Sequence, residues 1–162
     1  MIETLAIWNR LASKPGGKWL FSKLVCLKAP YFASIRPRFL ALGPGHAEVR
    51  IDKRSAVLNH LGTVHAIAMC NLAELAGGTM TDVSVPRSHR WIPKGMTVRY
   101  LRKANSALRA VARQDSDFPE GEHAGECRVH VDVIDREGTV VFTADIDMWV
   151  SPRKDPKKNP AG

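Results

Sequence analysis

Between Arg54 and Arg87 the chain carries no Lys or Arg, although its formal net charge is +8. The only carboxylates in that window are Glu74 and Asp82. Through its middle, from Asn59 to Gly78, apolar residues recur at helical spacing. Val64, Ile67, Ala68, Leu72 and Leu75 mark one face, and Ala66, Met69, Ala73 and Ala76 widen it. A helix this apolar must be nearly surrounded by protein. Gly62-Thr63 reads as its start, with Thr63 as N-cap, and Gly77-Gly78 as its stop. Glu74 falls in the last turns of that helix. A buried, unpaired charge is costly, so this position calls for a reason.

The segments on either side supply the walls. Ile2, Leu5, Trp8 and Leu11 predict a short amphipathic helix over residues 2–12, ended by Lys14-Pro15-Gly16-Gly17. Trp19–Leu27 reads as a second helix, closed by Pro30. Arg10, Lys14, Lys18, Lys23 and Lys28 interrupt both, which excludes a signal peptide and a membrane span. A flank packed on the main domain and a membrane-surface helix pair both fit this pattern. Phe39–Leu42 reads as a strand, followed by a Gly43-Pro44-Gly45 turn. His46–Asp52 alternates, with Ala47, Val49 and Ile51 on the apolar side.

Beyond the central helix, Asp82–Arg90 reads as irregular, and a meander of four strands follows. Their expected spans are Met96–Lys103, Ser106–Arg113, Glu126–Ile134 and Thr139–Val150. Gln114–Glu122 is a polar loop, and Asp135-Arg136-Glu137-Gly138 a hairpin turn. From Ser151 onward Pro, Lys and Asn predict a disordered basic tail. The layout is α+β: residues 1–30 a helical flank, 31–150 one domain, 151–162 the tail.

Arg153, Lys154, Lys157 and Lys158 against Asp155 give the tail +3 and leave the body +5. Such charge suits an anionic partner or a plainly solvated surface. No aromatic-basic motif accompanies it, so nucleic acid is not expected. Cys26, Cys70 and Cys127 stand far apart and the six histidines are scattered. No metal pair or disulfide framework is implied, and a reducing, cytoplasmic setting is expected. Cys70 reads as a buried structural thiol. There is no Gly-rich phosphate loop and no Gly-x-Ser-x-Gly elbow.

Asn59-x-x-Gly62-Thr63-x-His65-Ala66, between a strand pair and an apolar helix with Glu74 nine residues past the histidine, resembles the hotdog fold. It is most similar to the PaaI-type acyl-CoA thioesterases, whose motif reads Asn-x-x-Gly-x-x-His-Gly with an Asp or Glu on the helix. The match is residue by residue at Asn59, Gly62, His65 and Glu74, over roughly residues 36–150. Residues 1–30 lie outside it, like the N-terminal addition of a less characterised subgroup. Two positions depart from the pattern. Ala66 stands where many members have Gly, which keeps the backbone N–H. Glu74 stands where this branch often has Asp. The Phe-Pro-Gly turn of the hotdog dehydratases is absent.

The resemblance implies a curved antiparallel sheet wrapped around a long central helix, in a homodimer or homotetramer. It implies an acyl-CoA thioesterase with no bound cofactor, coenzyme A thioester being the substrate. Glu74 would be general base or nucleophile, the Ala66 amide an oxyanion donor, and Asn59 and His65 positioning groups. His65 also reads as a first-turn histidine bonding the backbone, and Asn59 as a loop residue satisfying the helix entry. Gly62 and Asn71 join as substrate-side residues; Asn71 can orient Glu74 or make a plain interface contact. Arg90 and Lys94, with Arg87, Arg102 and Lys103, can meet the coenzyme phosphates. Trp91-Ile92 can line an acyl pocket or the core. The alternative is a non-catalytic hotdog protein that binds acyl thioesters or hydrophobic acids.

One constraint comes from geometry alone. Nine residues along a helix separate His65 and Glu74 by about 13.5 Å and about half a turn. One chain cannot bring both to one carbonyl, so a site using both must be shared between two subunits.

Overall fold

The computed structural model describes residues 4–119 and 123–153. The elements are α1 (Thr4–Leu11), α2 (Gly17–Lys28), β1 (Arg38–Gly43), β2 (His46–Ile51), α3 (Ala66–Ser84), β3 (His89–Tyr100), β4 (Leu108–Gln114), β5 (Gly125–Ile134) and β6 (Val140–Pro152), with 3-10 turns at Pro30–Ile35 and Ser55–Val57. The strands form one antiparallel sheet in the order β1-β2-β4-β5-β6-β3. Alternation places Ala47, Val49 and Ile51 of β2, Cys127, Val129, Val131 and Val133 of β5, and Phe142, Ala144, Ile146 and Met148 of β6 on the face that covers α3.

Three expectations are corrected here. The first concerns Gly77-Gly78, which does not stop α3: the helix continues to Ser84. A Cβ on Gly77 would come within 2.9 Å of Ile146 Cδ1, and one on Gly78 within 3.1 Å of Trp91 Cη2. The glycines therefore mark a close approach of the sheet to the helix, a packing need that outweighs glycine's poor helix propensity. The helix stops at Val85, which is extended (φ −70°, ψ 134°) because Pro86 follows. Gly77→Val should lower stability by about 1–3 kcal/mol through overpacking. Urea unfolding at equilibrium checks it; an unchanged midpoint would mean that the sheet face yields freely.

The second concerns topology. Only β4-β5-β6 form a meander. β3 starts at His89, inside the stretch expected to be irregular, and pairs with β6 at the sheet edge. β4, with Leu108, Ala110, Val111 and Ala112 buried, fits the sheet interior beside β2. The exposed run of β3 fits an edge.

The third concerns Cys70, which is half-buried rather than enclosed; its Sγ lies 3.4 Å from the Tyr100 hydroxyl.

At the N-terminal side, α1 and α2 pack onto the domain through one aromatic cluster. Trp8 and Phe21 meet edge to face at 5.0 Å, and Phe21 and Phe39 at 5.1 Å. Ser22, buried, accepts a hydrogen bond from the Phe39 N–H at 2.9 Å, and Lys18 donates to the Leu40 carbonyl at 2.6 Å. Thus α2 supplies partners for the backbone of β1, one edge strand, while β3 forms the other edge. Ser151 and Pro152, expected in the tail, extend β6. Residues 154–162 of that tail, residues 2–3 of the first helix, and residues 120–122 of the polar loop lie outside the described residues. No helix among the described residues is long and apolar enough to cross a membrane.

Candidate active site

The loop before α3 is stapled by Asn59. Its Oδ1 accepts from the N–H groups of Leu61 (3.0 Å) and Thr63 (3.1 Å), and its Nδ2 donates to Thr63 Oγ1 at 2.8 Å. Both acceptor positions of the amide oxygen are therefore used within the loop. Gly62 sits at φ 72°, left-handed backbone that a side chain would strain, and this lets the loop fold back on Asn59. Asn59 thus satisfies the backbone of the loop that enters the helix.

The cap of α3 is His65, not Thr63. Its Nδ1 accepts from the Ile67 N–H at 3.1 Å. Nδ1 as acceptor leaves the proton of the neutral ring on Nε2. Thr63 is buried and bonded to Asn59 instead. The Ala66 N–H, in the first turn, has no partner among the described residues. It opens α3, where the orphan N–H groups and the positive end of the dipole coincide. His65 borders a cavity of about 180 Å³ together with Ser34, Ala68 and Asn71.

Glu74 lies in a different cavity, of about 290 Å³. Leu75, Gly78, Trp91, Pro93 and Met148 form one wall; Val25, Ala29 and Phe32 form the other, with Lys28, Thr79 and Asp82 also on the boundary. Glu74 is half-buried there, and its carboxylate has no hydrogen-bond or ion-pair partner among the described residues. Asp82, by contrast, is bonded by Thr4 Oγ1 at 2.6 Å and faces the Trp91 indole N–H at 3.5 Å.

The chain thus brings Asn59, Gly62, His65 and Ala66 together at one end of α3, with Asn71 facing the same cavity as His65. Glu74 stands apart in its own. Arg90 and Lys94 are on neither cavity. They share the outer sheet face, where Lys94 pairs with Glu126 and lies 5.4 Å from the centre of the Trp149 ring, and Arg90 Nε is 3.4 Å from Ser151 Oγ. Trp91 lines the Glu74 cavity; Ile92 is exposed. The second wall comes from the end of α2 (Val25), its C-cap Ala29 and the 3-10 turn that follows (Phe32), segments whose approach to Glu74 no local sequence pattern reports.

His130 and Cys127 read as structural. His130 is held between Asp145 (2.7 Å) and Asp132 (3.1 Å) on the outer sheet face. The hydrogen bond to Asp145, opposed by partial burial and aided by Asp132, raises its pKa. Burial pushes the Cys127 thiol up to about 11, which keeps it protonated and inert. Among the described residues no group of three or more His, Cys, Asp or Glu could hold a metal ion.

The model of a family described as a domain of unknown function, DUF4442, matches residues 17–150. The structural-genomics protein APC5556 is 47% identical, with a TM-score of 0.78, and the likeness covers 93% of this chain and 98% of that one. PA5026 of Pseudomonas aeruginosa, described as a probable thioesterase, is 24% identical at a TM-score of 0.71, over 82% of this chain and 93% of that one. Thioesterase HI1161 of Haemophilus influenzae is 14% identical at a TM-score of 0.70, over 83% and 90%. Among curated proteins none matches the chain. The architecture is that of the hotdog fold, a curved antiparallel sheet around a long helix with helices added at the N-terminus.

Proposed function

The chain belongs to the DUF4442 family, and from that premise we propose that it is a thioesterase acting on acyl-coenzyme A, with each active site built from two subunits. The observation that carries this reading is the Glu74 carboxylate, half-buried beside an apolar cavity without a polar partner. A structural carboxylate in such a place would be paired. One poised to activate water or attack a carbonyl is left free, and the cavity beside it can take an acyl chain. The descriptions of PA5026 and HI1161 as thioesterases support the same class.

The oxyanion donor is the Ala66 N–H at the start of α3, held in place by the His65 cap and the Asn59 staple. Glu74 and Ala66 of one chain lie too far along α3 to meet at one carbonyl. A two-fold dimer resolves this by setting the helix start of one chain against Glu74 of the other. β3 is the edge such a dimer would use. It is twelve residues long and largely exposed, and Met96 and Tyr100 on it stay in solvent together with Ile67 of α3. An uncovered edge of this length invites pairing with a second copy.

One observation favours the second reading, a non-catalytic binder of acyl thioesters. The acceptor capacity of Asn59 is spent inside its own loop, so its amide oxygen does not accept from a water unless the loop rearranges.

The deciding experiment is hydrolysis of a panel of acyl- and aryl-coenzyme A esters, followed by release of free thiol. Turnover of any ester, with coenzyme A and free acid as products, is the expected result. Saturable binding across the panel without thiol release would favour the binder and reject the enzyme.

A further inference from the structure

A cleft larger than the Glu74 cavity lies elsewhere among the described residues. It measures about 630 Å³ and runs between α2, the 3-10 turn Pro30–Ile35, and β1–β2. Lys23, Arg36, Arg38 and Arg54 line it, against a single carboxylate, Asp52. That carboxylate is already engaged, by Arg38 at 3.6 Å and by Arg50 at 2.8 Å. The cleft therefore concentrates positive charge well beyond what its own acid offsets.

Three further features set it apart from a solvated basic surface. Arg36 takes left-handed backbone (φ 47°), the only non-glycine among the described residues to do so. Arg54 is fixed by its Nη2 bond to the Ser34 carbonyl, and its Nε is buried without a partner. Trp19 stands at the rim 58% exposed, its ring 5.7 Å from Lys23 Nζ. An exposed indole beside a cluster of guanidinium groups suits a planar base joined to phosphates.

The cleft also adjoins the helix start. Ala33 and Arg36 line it, while Ser34 and Ile35 line the His65 cavity, so one turn of chain divides the two. We propose that this cleft seats the adenosine 3′,5′-bisphosphate end of coenzyme A, with the base against Trp19 and the phosphates on Lys23, Arg36, Arg38 and Arg54. The pantetheine arm then passes Ser34–Ile35 toward the Ala66 amide. Its connection to a thioester rests on the thioesterase reading; binding of the nucleotide end does not.

The test is calorimetric titration of adenosine 3′,5′-bisphosphate into the wild-type protein, Lys23→Ala, Arg36→Asn and Trp19→Ala. Asn is chosen at 36 because it tolerates left-handed backbone. Wild type should bind, more weakly as salt rises, and each variant should lose about tenfold or more in affinity while unfolding at the wild-type temperature. Where thioesters are hydrolysed, the variants should raise KM for acyl-coenzyme A and leave KM for the acyl-pantetheine unchanged. Hydrolysis by a wild type that does not bind the bisphosphate would overturn the cleft assignment and leave the enzyme standing. Bisphosphate binding that the variants do not weaken would overturn it too. Binding of phosphatidylglycerol vesicles in place of the bisphosphate would reassign the cleft to a lipid headgroup. Bisphosphate binding lost in the variants, with no thioester turned over, would keep the cleft and remove the enzyme.

Discussion

Glu74→Gln should lose at least about a hundredfold in kcat while folding normally, because Gln keeps the size and loses the acid–base or nucleophilic function. The side chain is half-buried and has no hydrogen-bond or ion-pair partner among the described residues, so its replacement breaks no network. Thermal unfolding should therefore move little even as thiol release falls away. Unimpaired turnover would reject Glu74 as the reacting group even in an active enzyme. The distinction between base and nucleophile can be read on the wild type. Single turnover in heavy-oxygen water followed by digestion would place the label in the Glu74 carboxylate only if that group attacks the carbonyl itself.

Ala66→Pro is the second large effect, and its value lies in how little else it changes. Ala66 is the first residue of α3, where proline is well tolerated because that N–H has no helical partner. His65 already has the extended backbone, φ −64° and ψ 141°, that a residue before proline adopts. The substitution thus deletes one N–H and leaves the helix. If that N–H stabilises the oxyanion, kcat should fall by about 10²–10³ with stability nearly unchanged, whereas Ala66→Gly should stay active. Full activity in Ala66→Pro would send the donor role elsewhere. The two variants also test sharing. In a mixed dimer of Glu74→Gln and Ala66→Pro chains, one site receives both lesions and the other receives none. Statistical mixing should restore about a quarter of wild-type activity, whereas sites confined to single chains would restore nothing.

Much of this arrangement is legible before any coordinates. Alternation in His46–Ile51, Gly125–Ile134 and the later strand residues reports which face meets the helix, because a half-buried strand has only two sides. The Asn59-x-x-Gly62 spacing reports a loop that must turn through left-handed backbone. The failures share one cause. Gly77-Gly78, read locally, is a stop; its actual role depends on Ile146 and Trp91, which are distant in sequence. The place of β3 beside β6 depends on long-range pairing that no window of residues contains. Arg90 and Lys94 are basic and near the right elements in sequence, yet the pleat turns them away from the helix. The division of Glu74 and His65 between two cavities follows from helix geometry alone, and so it could be anticipated.

The wall of the Glu74 cavity that α2 and the 3-10 turn after it supply has a consequence for how such a protein can diverge. Val25, Ala29 and Phe32 are only partly buried, and none belongs to the fully enclosed interior that holds the sheet to α3. Exchanges among small, branched and aromatic side chains at these three positions would reshape the chamber at little cost to folding. The opposite wall is less permissive, since Gly78 and Trp91 are in close approach there. Variation in what the chamber admits is therefore open to drift on one side and resisted on the other. Descendants of this chain can change their diet through a short N-terminal segment while the sheet and its helix are inherited intact.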